Sequence, residues 1–172
     1  MHRTLGQQIN KRSPFASAQE EAMLNIHRTA SHLSGPEHAF FRRYGLSPAS
    51  YNLMRILRGH HQRGETGGMP ASRIGCEMVV RMPDVTRLVD RLATMGLVCR
   101  AAHAADRRVK LVRITDKGLD LLAKMDPEVI AVSKELLGHM SREQLAQLSR
   151  LLELARNEQD TGESDEDPGV GA

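Results

Sequence analysis

The hydrophobic period changes once between Ser47 and Ile114, and that change constrains the fold more than any other feature of the chain. Before it, apolar residues recur at helical spacing in short runs closed by Gly or Pro. Ser47-Pro48 has the cap-then-proline order of a helix start. Tyr51, Leu53, Met54, Ile56 and Leu57 carry that helix to about Arg58. Residues 59–68 read as a polar, Gly-rich loop, Pro70 to Val79 as a short helix, and Arg81-Met82 as a tight connection. Pro83 opens a further helix that reaches Met95 and stops at Gly96. After Gly96 the pattern becomes extended. Leu97–Ala101 and Val109–Ile114 are rich in Val, Leu and Ile, and the second run alternates, with Val109 and Leu111 on one side and Lys110, Val112 and Ile114 on the other. His103 to Arg108 separates the two runs, which makes a β-hairpin with a charged tip.

Two short helices joined by a tight turn and followed by a hairpin make a winged helix-turn-helix, expected over residues 46–115. The flanks are helical. Residues 1–16 are polar and basic without a clear period and read as an arm. Ser17 and Glu20 have capping-box spacing, and Met23, Ile26, Ala30 and Leu33 follow at helical spacing. Gly35-Pro36 interrupts or kinks this helix, which resumes from Glu37 to Tyr44. Thr115-Asp-Lys-Gly starts a long helix carrying Leu119, Leu122, Met125, Val129 and Val132, with a possible kink at Pro127. A second capping box, Ser141 with Gln144, precedes Leu145, Leu148, Leu152 and Ala155. The expected fold is therefore mainly α with a small β-wing. The apolar stripes over 17–45 and 116–157 lie outside the winged lobe and need a partner surface, so a homodimer joined through the N- and C-terminal helices is expected.

Composition narrows the function classes. There is no Trp and there are five aromatics, so the core is aliphatic and Met-rich, which suits packed helices. No apolar run approaches the roughly 20 residues that span a bilayer, and the first residues lack an apolar signal core, so the chain reads as cytoplasmic. Cys76 and Cys99 sit in apolar patterns and read as small buried hydrophobes rather than a disulfide framework. His60-His61 reads as part of a solvated loop. No Gly-rich phosphate loop, H-E-x-x-H, CxxC or G-x-S-x-G is present, so the expectation is a protein that is not an enzyme and takes no cofactor or metal. Residues 158–172 hold six acids and no Lys or Arg, an acidic tail expected to be disordered. Without it, 24 basic residues face 15 acids, and such a body suits a polyanionic partner.

The helix after Pro83 carries the chemistry. Val85, Leu88 and Leu92 form a stripe that must face the core. Asp84, Arg87 and Arg91 form the opposite stripe, and Thr86 and Arg87 stand near the N-terminus, where a recognition helix meets base edges. A solvated, charged face is the competing reading of this helix alone. The hairpin tilts the balance: its tip carries Asp106, Arg107 and Arg108, flanked by Arg100, Lys110 and Arg113. From Arg73 to Arg113 nine Lys/Arg stand against four acids. A hairpin that runs along a duplex uses such cations to neutralise phosphates. The candidate DNA-binding set is Arg73, Asp84, Thr86, Arg87, Arg91, Asp106, Arg107, Arg108 and Lys110.

The run Pro83-Asp-Val-Thr-Arg-Leu-Val-Asp-Arg-Leu, then Gly96-Leu-Val, Asp106-Arg-Arg and Ile114-Thr-Asp-Lys-Gly, strongly resembles the MarR family of bacterial transcriptional regulators. Gly45-Leu-Ser and Tyr51-Asn-Leu-Met-Arg-Ile-Leu are similar to that family's second helix, and the resemblance covers roughly residues 20–157. It implies a homodimer with two winged lobes on double-stranded DNA at a pseudo-palindromic operator. It implies that Arg108 enters the minor groove, with Asp106 helping to hold it. It also implies repression relieved by a small ligand or an oxidant. Four of the five aromatics fall within residues 40–51. Phe40, Tyr44 and Tyr51, with Met54 as an adaptable filler, are the candidates for lining a pocket for a small, partly aromatic effector; core packing is the competing reading.

Overall fold

Ser47 and Ser17 cap helices as their sequence positions require, whereas the helix expected to open at Pro83 starts at Val85, with Asp84 as its cap. The computed structural model describes residues 3–102 and 110–157. The chain divides into two units, Met1–Val132 and Ser133–Ala172. In the first unit the order is α1 (Leu5–Gln8), α2 (Ala18–Arg42), α3 (Pro48–Gln62), β1 (Met69–Pro70), α4 (Ala71–Glu77), α5 (Val85–Thr94), β2 (Val98–Ala102) and β3 (Lys110–Ile114). The helix α6 (Asp116–Leu137) begins in the first unit, and α7 (Arg142–Asn157) belongs to the second. The mainly helical winged helix-turn-helix expected from the sequence is the fold observed. No helix among the described residues is long and apolar enough to cross a membrane.

The long helix α2 runs unbroken through Pro36, so Gly35-Pro36 does not interrupt it. Proline removes one N–H and strips the carbonyl four residues earlier of its partner. Both Pro36 and His32 are exposed, so water can take that carbonyl. The same reasoning covers Pro127, which lies inside α6 with Ala123 and Pro127 both exposed. At the other end of α2, Gly45 at φ 69° turns the chain, and the Leu46 N–H returns to the Phe41 carbonyl at 3.1 Å. The capping at Ser17 departs slightly from a reciprocal box. Its hydroxyl accepts from the Glu20 N–H at 3.0 Å, but the Glu20 carboxylate accepts from the Ala16 N–H at 2.6 Å. The box at Ser141 and Gln144 closes in both directions, at 3.3 and 2.9 Å. The N-terminal arm contains the one-turn helix α1, capped by Thr4 and anchored by buried Leu5.

The wing is part of a three-stranded antiparallel sheet in the order β1-β3-β2. Val98 pairs with Ile114 and Arg100 with Val112, while Met69 pairs with Val112 and Pro70 with Leu111. β3 is thus the central strand. Its simple alternation gives way: Leu111, Val112 and Ile114 are buried, and Lys110 and Arg113 are exposed. Gly68 makes the junction to β1 possible. It sits at φ 89°, and a Cβ there would collide with the side chain of Arg113 and the Val112 carbonyl. At the end of β3 the Thr115 hydroxyl donates to the Gly96 carbonyl at 2.8 Å and accepts from the Gly118 N–H at 3.2 Å. A Cβ on Gly118 would meet the Leu97 carbonyl oxygen. The Thr-x-x-Gly spacing therefore welds the start of α6 to the turn after α5.

The core lies between α3, α4, α5, the sheet and the first turns of α6. Leu53, Met54, Ile74, Val89, Leu92, Val112, Leu122 and Met125 are essentially sealed from solvent. Truncating one such aliphatic side chain to Ala costs roughly 2–5 kcal/mol, so this set fixes how α4 and α5 sit on α3.

Candidate nucleic-acid interface

Residues Val85 to Thr94 form a helix because Asp84 caps it and Gly96, at φ 71°, follows its last turn. The Asp84 carboxylate accepts the Arg87 backbone N–H at 3.0 Å. Leu88, Val89 and Leu92 are buried and Val85 is half-buried, so the inward stripe includes Val89 as well as the three residues expected. The outward face carries Thr86, Arg87, Asp90 and Arg91, all exposed. α5 is preceded by α4 and the turn of residues 78–84, which is the helix-turn-helix order.

The outward cations differ in how they are held. Arg87 is 89% exposed at its side chain, and its Nε lies 3.1 Å from Asp84 Oδ2. Arg91 donates to the Gly45 carbonyl at 3.2 Å, tying α5 to the corner between α2 and α3. Arg73 lies along α4, with Nε 3.4 Å from Glu77 Oε1. Arg100 of β2 pairs with Asp90 and locks the wing's first strand to the outer edge of α5, a link that the sequence reading did not anticipate. Lys110 is exposed at the start of β3. Asp106, Arg107 and Arg108 lie outside the described residues.

The turn before α5 is unusually apolar at its surface. Val79 is 86% exposed and Val80 65% exposed. The Val79 N–H donates to the Asn52 side-chain oxygen at 2.9 Å, so α3 holds this turn directly. Behind the turn lies a cleft of about 640 Å³, lined among others by Phe41, Tyr51, Asn52, Arg55, Met78 and Val80. Of the four pocket candidates from the sequence, Tyr51 lines this cleft. Phe40 and Met54 are buried in the core, and Tyr44 donates its hydroxyl to Glu128. That carboxylate raises the Tyr44 pKa above the ordinary tyrosine value. Phe41, not chosen from the sequence, stacks with Tyr51 at a ring separation of 4.7 Å and lines the cleft. Arg55 Nη1 donates to the Tyr51 hydroxyl at 2.9 Å.

Two expectations about polar residues are corrected. α3 continues past Arg58 to Gln62, and His60 is a buried helical residue, 3% exposed, rather than part of a solvated loop. Its ring meets Glu65 and Glu77. Cys76 is exposed and Cys99 half-buried. With only seven residues, α4 turns Ile74 inward and leaves Cys76 on its outer side.

Comparison with known proteins agrees with this architecture. The family model described as MarR family matches residues 46–110. A MarR transcription factor from Planctomyces limnophilus is similar in structure, with TM-score 0.62 and 37% identity over 82% of this chain and 99% of that one. The regulator MhqR of Bacillus subtilis is 29% identical over 110 residues, 64% of this chain and 72% of its own length. A mutant MarR from E. coli, solved in complex with operator DNA, shares the fold at TM-score 0.70 and 18% identity, over 84% of this chain and 99% of its own. A relative more than a third identical is matched over nearly its whole length and the family model matches the winged segment, so the chain belongs to the MarR family.

Proposed function

We propose that the protein is a sequence-specific DNA-binding transcriptional repressor that works as a homodimer and leaves its operator when a small effector binds. The observation that carries the reading is the outward face of α5. Thr86 and Arg87 stand in its first turn, unburied, with Arg87 oriented by the residue that caps the helix. A guanidinium so placed can meet guanine in the major groove. The E. coli relative was solved on operator DNA, which supports the same use of the fold here. In this reading Arg73, Arg91 and Lys110 flank the face as phosphate contacts, and the wing-tip residues Asp106, Arg107 and Arg108 address the backbone and the adjacent minor groove.

Dimerisation rests on apolar surface that a lone chain leaves in water. On α2, Met23 is 55% and Ile26 44% exposed; on α7, Leu151 is 54% and Leu154 59% exposed. A second copy that covers these faces would remove them from water and set two recognition helices at a fixed spacing.

The effector site in this reading is the cleft behind the 78–82 turn. It is large enough for a small, partly aromatic molecule, with Phe41 and Tyr51 for stacking and Arg55 for a polar group. Asn52 both lines it and holds the Val79 N–H, so an occupant that takes the Asn52 amide would loosen the turn leading into α5. Transcription regulation, not catalysis, is the activity assigned. A footprint of the purified protein on the DNA upstream of its own gene tests the reading: a protected, pseudo-palindromic region is expected, and no protection at any salt concentration would refute it.

A further inference from the structure

His60 is the only charged-type side chain among the described residues that is buried, and both of its ring nitrogens face carboxylates. Nδ1 lies 2.6 Å from Glu65 Oε2. Nε2 lies 3.0 Å and 3.2 Å from the two oxygens of Glu77. A neutral imidazole has a single N–H, so it can serve only one of these acceptors and must present a lone pair to the other. The arrangement is satisfied at both edges by the imidazolium alone. Its place in the last turn of α3 favours the same state, because carbonyls at a helix C-terminus attract positive charge. The ring is 4% exposed, whereas the Glu65 and Glu77 side chains are 48% and 38% exposed. Water can therefore reach the carboxylates but cannot replace a lost N–H on the ring.

The ring ties together the three pieces that lead into the helix-turn-helix. It stands on α3, Glu65 lies in the connection to β1, and Glu77 is the last residue of α4, immediately before the turn to α5. We propose that the doubly protonated His60 is a positioning residue, a clip that holds the end of α4 against α3 and so sets the recognition helix, and that loss of one proton releases it. The effect on DNA binding rests on the function proposed above; the clip itself does not.

Other charged and titratable groups lie around the clip on the neighbouring elements. Arg63 approaches Glu65 at 3.5 Å and Arg73 approaches Glu77 at 3.4 Å, both from exposed positions. His61, Cys99 of β2, Arg113 of β3 and Asp116 of α6 line, with His60, a cavity of about 350 Å³ beneath the clip. His60 is also the largest influence that holds the Glu65 and Glu77 carboxyls below the usual carboxylate range. Both carboxylates act as acceptors, so the clip is broken by removing one N–H from the ring. The carboxylates grip opposite edges of the ring, and no cluster of three ligands suited to a metal occurs among the described residues.

The test is hydrogen exchange on the full chain from about pH 5 to 9, with protection in α4 and the 78–82 turn referred to that of α3 around Leu53. In the wild type, relative protection in α4 should fall on the order of tenfold across the range as one charge-assisted bond is lost. In Glu77→Gln the fall should vanish, because the introduced amide can donate to the unprotonated nitrogen and keep the contact at any pH. His60→Gln should likewise be flat. Wild-type protection that does not change with pH, or a Glu77→Gln profile that tracks the wild type, would overturn the proposal. Affinity for an operator duplex should follow the same pH profile in the wild type and be flat in Glu77→Gln. Absence of DNA binding at every pH would sink the functional reading alone, and the exchange profiles would still decide the clip.

Discussion

The Asp84 carboxylate holds Arg87 at two points: one oxygen accepts the Arg87 backbone N–H at 3.0 Å, and the other lies 3.1 Å from the guanidinium Nε. One residue thus starts α5 and orients an exposed cation of its first turn. If Arg87 reads a base, Arg87→Ala should weaken a cognate site by roughly 1–3 kcal/mol and relax preference at one position in each half-site. If it grips phosphate, affinity should fall uniformly across sequences with a shallower salt dependence. Asp84→Ala should cost roughly 0.5–2 kcal/mol of stability through the lost cap and lose part of the same discrimination. Binding to a panel of single-base operator variants, alongside thermal melts, checks both.

Arg108→Ala should weaken binding comparably to Arg87→Ala, but its effect should follow A·T content and minor-groove width rather than one base. Asp106→Ala should give a milder version of that loss if the carboxylate orients the guanidinium. Affinities on operators that differ only in the A·T content flanking each half-site measure this. Equal losses on all of them would remove the minor-groove assignment.

The exposed Met23 and Ile26 on α2 predict a dimer that a buried charge would break. Ile26→Glu should shift the protein to monomer at micromolar concentration, and deletion of residues 141–172 should dissociate or unfold it. Deletion of residues 158–172 alone should do neither. Light scattering reads each outcome, and a monomeric wild type would contradict the prediction.

Asp126 of α6 accepts two hydrogen bonds from Arg58 of α3, at 2.7 and 2.9 Å. That contact is the main cause holding its carboxyl below the usual aspartate range. A depressed carboxylate contributes stability that is fully present above its unfolded-state pKa and lost as pH falls through the lower folded value. Thermal stability should therefore decline on the acid side of the ordinary aspartate range, and Asp126→Asn should flatten part of that decline. Because the side chain is 37% exposed, the difference should be modest. A variant with an unchanged acid limb would show that the pair contributes nothing measurable.

The features visible in the sequence were those with local causes. Ser17, Ser47 and Ser141 cap by bonding to backbone three residues on, and the stripe of Val85, Leu88 and Leu92 needs only helical period to be read. The misread features depend on partners distant in sequence. β1 is two residues long, too short to show a period, and exists because β3 offers an edge to Met69 and Pro70. His60 appeared solvated because Gly59 and Gly64 bracket it, whereas its second partner, Glu77, is seventeen residues away on another helix. Pro36 and Pro127 looked like breaks because exposure of the carbonyl four residues earlier, which makes them tolerable, is a tertiary property. In the aromatic cluster, the sequence reading named four residues for one pocket, and packing divides them between core, a hydrogen bond to Glu128 and the cleft. Choosing Phe41 over Phe40 would have needed the helical phase of α2 relative to α3.

Selection of binding sites from a random duplex library, followed by affinity measurements on the winning sequence at several salt concentrations, tests the central claim most directly. The account predicts an enriched pseudo-palindrome with half-site centres about one helical turn apart, and a log affinity that falls linearly and steeply with log salt. Failure to enrich any sequence, or binding that does not respond to salt, would contradict it.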